Sequence, residues 1–261
     1  MRKALAMTAA LVAATATAGC VIVVGDDDDH IKMRHGEHSL DGYLTLDRNG
    51  DYSRIGGDIN LRGRIGGDLN LVAGDVDADQ LVVEGEVSIA AGDIDYTGRV
   101  GGEASVAGGD IDWDADVGGE LNLAAGSLDV AGRITGPASM AAANVRSTAE
   151  YERGLEVHGN EVHLAGSVSG PLTIVSVGEI RPRRNYDDED GRVVLAGAIN
   201  DGGDVCSRSV TVLSSARISG TLRVWADSEP HVEAGAQAGN IVFVPRDSRD
   251  CDDVDRVFDD S

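Results

Sequence analysis

The sequence predicts an all-β fold, a single-stranded parallel β-helix (β-solenoid) with 17-residue coils. Three observations lead there. Residues 83–99 read VEGEVSIAAGDIDYTGR, 100–116 read VGGEASVAGGDIDWDAD and 117–133 read VGGELNLAAGSLDVAGR, three consecutive matches at one period. Aliphatic residues return at the same place in every unit, as stacked coils require and as hairpins, which reverse direction, do not. Glycine makes up 35 of the 261 residues while aromatics are only 3%, so small residues must pack around aliphatic ones; with 5 prolines, neither a collagen nor a disordered chain fits.

The period extends outward from this centre. Residues 65–82 are an 18-residue version, 134–150 read ITGPASMAAANVRSTAE, 151–167 keep the spacing with weaker identity, and VSGPLTIV opens another unit at Val168. DINLRGR, residues 58–64, matches the second half of a coil, so the array is expected to begin near residue 48. Numbering each unit from its first aliphatic residue (Ile65, Val83, Val100, Val117, Ile134, Val168), position 7 holds Leu71, Ile89, Val106, Leu123, Met140, Val157 and Ile174. Position 12 holds Val76, Ile94, Ile111, Leu128, Val145 and Val162. Strand residues alternate faces, so these columns are the expected core. Position 10 is Gly74, Gly92, Gly109 and Gly126, where a corner with positive φ would suit glycine. Small residues just before it, such as Ala90, Ala91, Ala124 and Ala125, would let the chain bend.

Stacking also aligns charges. Position 13 is Asp77, Asp95, Asp112 and Asp129, position 11 is Asp75, Asp93 and Asp110, and position 4 is Asp68, Glu86, Glu103 and Glu120. Two charges about 4.8 Å apart in water repel by roughly 1 kcal/mol before screening. Each coil buries three or more aliphatic side chains, at roughly 1.5–3 kcal/mol apiece, so burial outweighs the repulsion.

The two ends of the chain read differently. Arg2 and Lys3 followed by the apolar residues 4–18 form a signal peptide, residues 1–19, too short to span a bilayer. The sequence Ala16-Thr17-Ala18-Gly19-Cys20 resembles the lipobox of bacterial lipoproteins, which implies lipidation of Cys20 and a membrane anchor. Thr17 departs from the aliphatic residue usual there, and Ala16-Thr17-Ala18 also fits ordinary small-x-small cleavage. Residues 20–47 are a polar tether with Asp26-Asp27-Asp28-Asp29-His30, His35 and His38, whose alternative reading is a metal-scavenging site without any closed ligand spacing. Cys206 and Cys251 are a disulfide candidate, permissible after export, or two free thiols. The period breaks at RPRRNYDDEDGR, an inserted loop over 181–192, and coils resume irregularly to residue 245. The acidic tail, residues 246–261, would cap one end of the helix if Cys251 reaches Cys206.

Several function classes are disfavoured. The net charge is −23 and Lys32 is the only lysine after the signal peptide, so a nucleic-acid backbone would be repelled. No GxSxG, P-loop or Rossmann fingerprint occurs, and no catalytic constellation interrupts the repeat, so no enzyme is expected. Gly108-Gly109-Asp110-Ile111-Asp112 is similar to fragments of calcium-binding RTX repeats, without their nonapeptide period. Asp93, Asp95, Asp110 and Asp112 are thus the candidates for weak calcium, and no other cofactor is expected.

The texture V-x-G-x-L-x-L-x-x-G-x-I-x-V-x-G-x, well kept over residues 48–180 and loosely over 193–245, resembles the bactofilin-type polymer-forming domain and related exported bacterial β-solenoids. The resemblance implies a right-handed β-helix that self-associates through its ends. Bactofilins are typically cytoplasmic, whereas this chain carries an export signal. SVAGGDIDW and NLAAGSLDV are also similar to exported adhesin-like repeats. The expected function is therefore an exported, non-enzymatic scaffold of the cell envelope, in the periplasm or at the outer membrane or cell surface, lipid-anchored if Cys20 is modified. An adhesin-like surface module binding glycan or calcium is the alternative, and a carbohydrate-active β-helix enzyme the third reading.

Overall fold

The computed structural model describes residues 42–176, 191–246 and Cys251. The signal peptide, Cys20, His30, His35 and His38 lie outside the described residues. Within them the chain forms a β-solenoid of 23 strands in which the pairings between strands are parallel. Asp93 pairs with Asp110, and Ile111 with Leu128, so each residue's partner stands at the equivalent place one 17-residue coil ahead. Position 7 runs in register through Arg54, Leu71, Ile89, Val106, Leu123, Met140, Val157, Ile174, Val205, Val224 and Phe243, about 11 coils.

The columns read as core are core. Leu71, Ile89, Met140 and Val157 at position 7, and Ile94, Ile111 and Val145 at position 12, are buried. Position 1 stacks Ile65, Val83, Val100, Val117, Ile134, Tyr151 and Val168, then continues to Ile199 and Ile218. Two further inward columns accompany them. Position 5 carries Leu69, Val87, Ala104 and Leu121, and position 14 carries Ala78, Tyr96, Trp113 and Val130, all buried. Tyr96 and Trp113 stack in the interior with ring centroids 4.5 Å apart and planes 14° from parallel.

The glycines of position 10 are needed for a reason other than the one expected. None of Gly74, Gly92, Gly109 and Gly126 has positive φ; that conformation occurs instead at Gly63, Gly98 and Gly132 among others. The four form a hydrogen-bonded backbone ladder, each N–H donating to the glycine carbonyl one coil back: Gly74 to Gly57 at 3.0 Å, Gly92 to Gly74 at 2.5 Å, Gly109 to Gly92 at 2.5 Å and Gly126 to Gly109 at 2.7 Å. A Cβ on Gly92 would lie 2.8 Å from the Gly74 carbonyl oxygen. At Gly92, Gly109 and Gly126, close approach of stacked backbones, not handedness, disfavours a side chain. Position 3 repeats the device, with Gly85, Gly102, Gly119 and Gly136 each donating to the glycine of the preceding coil. At this corner the strand assignment breaks after Ala90 and Ala107 but continues through Ala124 and Ala125 in the strand Leu121–Ala131.

The 18-residue coil places its additional residue as a bulge. The register slips between Ala78 and Leu81, and Gln80 there has φ 50°, the positive-φ exception outside glycine among the described residues. Its N–H is held by Thr97 Oγ1 at 2.8 Å.

Two boundaries shift. The strand Leu44–Arg48 pairs in register with Leu61 to Ile65, so the solenoid starts before residue 48. Arg192 opens the strand Arg192–Leu195, which stacks on Glu161 to Leu164, and so belongs to the solenoid, not to the insertion. Beyond the insertion Leu172 pairs with Gly203, so the extra chain lengthens one coil without displacing the next. Two strands can lie side by side across such an insertion because lengthening the chain between them costs little closure entropy.

Candidate interaction faces

Alternation turns positions 11, 13 and 15 outward, and the acidic columns lie there as one surface. Asp75, Asp93 and Asp110 stack in register, as do Asp77, Asp95, Asp112 and Asp129. Asp93, Asp95, Asp110 and Asp112 are therefore neighbours on two adjacent coils. Among the described residues, however, no group of three or more His, Cys, Asp or Glu side chains gathers so as to hold a metal ion. The columns project parallel carboxylates side by side and do not converge them on a point.

Their mutual proximity is nonetheless felt. Partial burial, followed by the charge of Asp95, a hydrogen bond with Asp95 and the charge of Asp110, holds the Asp112 carboxyl above the usual carboxylate range. A raised folded pKa means that the native state binds this proton more tightly than the unfolded chain. That contribution is complete below the ordinary value of 3.8 and is lost as pH rises through the folded pKa. Asp112→Asn is accordingly expected to stabilise the protein at pH 7, by at most about 1 kcal/mol at low salt and less in added salt. The gain should vanish in urea melts below the ordinary carboxylate pKa. At the upper edge of this face the Tyr43 hydroxyl donates to Asp77 Oδ2, and that bond raises the phenol to about 12.

Some acidic residues have structural work of their own. Asp51 Oδ1 accepts the N–H of Asp68 at 2.9 Å, and Asp68 Oδ1 accepts that of Glu86 at 2.9 Å. The position 4 carboxylates thus begin a ladder of side chain to next-coil backbone bonds, rather than serving solvation alone.

A second outward face, positions 6 and 8, is nearly uncharged over four coils: Ser88, Ser105, Asn122 and Ser139 beside Ala90, Ala107, Ala124 and Ala141. Further along, the same two columns become Asp204 and Arg223, with Arg223 Nη2 donating to Asp204 Oδ2 at 2.8 Å, and Val175, Cys206 and Trp225.

Cys206 and Cys251 are joined in a disulfide with Cα atoms 5.6 Å apart. The tail on either side of Cys251, residues 247–250 and 252–261, lies outside the described residues. Cys206 sits on the strand Gly202–Cys206, and Arg217–Ala226 and Gln237–Pro245 lie beyond it, so the bond fastens the outside of the wall two coils before the last. Val175, Cys206 and Cys251 pack there as a small apolar cluster outside the main core, with Trp225 against it. Arg246 bridges to Asp227 at 2.9 Å and donates from Nη1 to Cys251 Sγ at 3.6 Å.

The solenoid has two open rims among the described residues. At one, Leu44–Arg48 and Tyr52–Ile55 pair on a single side, and Ile55 is 76% exposed. At the other, Gln237–Pro245 pairs with Arg217–Ala226 alone, and Val232 and Val242 are exposed. Among the described residues no helix is long and apolar enough to cross a membrane.

No protein-family model, curated protein or solved structure matches the chain. The likeness to bactofilin-type domains therefore rests on the repeat alone, and the fold is a β-solenoid.

Proposed function

We propose that the protein is a non-enzymatic scaffold of the bacterial envelope, exported through its N-terminal signal and self-associating through the rims of its solenoid. The observation that carries this reading is the pair of open rims. Each presents a row of backbone N–H and C=O groups already spaced for another coil, edged by apolar residues that a monomer leaves in water. A second copy supplies a parallel strand at that spacing, so stacking rim on rim continues the ladder that holds each coil to the next.

Two further features support it. Most side chains are committed to columns that build the wall, which leaves little for catalysis. The Cys206–Cys251 bond suits an oxidising compartment. Placement outside the cytoplasm, with a lipid on Cys20 as the anchor, belongs to the same proposal.

The test is sedimentation of the chain from residue 20 onward, with electron microscopy of the same samples. The expected result is mass growing with concentration, and its loss in Val232→Lys, which puts a charge at the exposed C-terminal end of the inward column of Val212. A species that remains monomeric up to its solubility limit would overturn the self-associating scaffold.

A further inference from the structure

Position 13 changes sign along the stack. Its column reads Asp77, Asp95, Asp112, Asp129, Arg146, His163, so four carboxylates are followed on the next two coils by a guanidinium and an imidazole. One coil further, Arg192 stands at position 11 on Glu161. Three basic side chains thus occupy three successive rungs, spanning roughly 10 Å at the usual strand spacing. They line a concavity of about 320 Å³ together with Glu161, Val194 and Leu213.

Acids are plentiful in this chain, 45 against 22 lysines and arginines, and other arginines use them. Arg64 pairs with Glu84, Arg133 with Glu150, Arg208 and Arg246 with Asp227, and Arg223 with Asp204. The side chains of Arg146, His163 and Arg192 make no hydrogen bond or ion pair with a described residue. The two guanidiniums outnumber the one carboxylate, Glu161, that lines this hollow, which favours an entering anion, and a guanidinium receives a carboxylate or sulfate through two parallel N–H bonds.

The hollow continues into a neighbour. Arg146 also lines an adjoining concavity of about 250 Å³, whose wall includes Asp112, Asp129 and Thr148. Carboxylates there repel a second anion but accept hydrogen bonds from hydroxyl groups. One side of the groove therefore suits an oxyanion and the other suits polyol. We infer that this groove, centred on Arg146, binds an acidic saccharide, with the anionic group at Arg146, His163 and Arg192 and the neutral hydroxyls toward Asp112 and Asp129. Tyr96 and Trp113 turn into the core, so no aromatic platform adds stacking, and the selectivity rests on charge and hydroxyl contacts.

Calorimetric titration of the chain from residue 20 onward, at constant ionic strength, with glucuronosyl-xylobiose, a saccharide with a single carboxylate, its neutral methyl ester and sodium sulfate tests this. The expected result is saturable binding of the acidic saccharide, weaker binding of the ester, and a tenfold or greater loss in Arg146→Gln/Arg192→Gln. Arg99→Gln, an exposed arginine outside the groove, should bind as the parent does, and circular dichroism should show all variants equally folded. Sulfate binding as tightly as the acidic saccharide would reduce the site to a free-anion site and overturn the saccharide assignment. No saturable binding, or an equal loss in Arg99→Gln, would overturn the site itself.

Discussion

Cys251→Ser should loosen the last coils while leaving the first ones as they are. The disulfide closes 45 residues of chain, for which the chain-entropy account gives a stabilisation of about 4 kcal/mol, less any strain in the native state. A solenoid distributes stability coil by coil, each coil touching only its neighbours. The loss should therefore fall on the strands that the bond encloses, Ser209–Val212, Arg217–Ala226, His231–Val232 and Gln237–Pro245. Hydrogen exchange should show faster opening of those strands, with protection of coils 83–133 unchanged, and the parent protein in dithiothreitol should match the variant. A uniform loss of protection along the whole chain would contradict a local buckle.

Trp113→Ala should cost about 3–5 kcal/mol, the usual range for truncating a buried aromatic. Trp113 is 1% exposed and stacked on Tyr96, and the coil beyond offers only Val130 in the same column. A solenoid wall is held by backbone ladders on both sides and cannot collapse into the hole, which places the cost toward the upper end. Trp113→Phe should lose clearly less, because it keeps a ring against Tyr96 and removes an indole N–H that has no hydrogen-bond partner. Urea unfolding followed by circular dichroism measures both, and a loss below about 1 kcal/mol for the alanine variant would show that the aromatic pair is not core.

The coil itself was legible from residues alone because a parallel stack repeats each environment at a fixed interval. Leu71, Ile89, Val106 and Leu123 occupy one column in space as they do in the alignment. The role of Gly92 and Gly109 was harder to see, since a glycine required for positive φ and one required for a 2.5 Å backbone contact look alike in sequence. Tyr96 and Trp113 escaped notice as core because column 14 mixes alanine, aromatic, valine and serine. Counting two residues on from the aliphatic position 12 would have found it, by strand alternation. Ser147 fits that column because its hydroxyl lies 2.6 Å from that of buried Tyr151.

The groove around Arg146 was not visible for a related reason. Its basic residues lie in three different coils, two of them in units with weak identity, and Arg192 follows the insertion. Only the register shows that Asp129, Arg146 and His163 share one column. A separation along the chain also says nothing about which wall a cysteine faces, and Cys206 faces outward, two coils before the rim.

The central claim is that one coil is one repeat, so deletion of the segment 100–116 is its most direct test. Removing this coil brings Arg99 to Val117, the start of an equivalent coil, and every column closes up in register. Small-angle scattering should show a folded particle shorter by about 5 Å, the spacing of one rung, with the strand signal retained. A deletion mutant that is unfolded, or folded at unchanged length, would contradict the stacked-coil account.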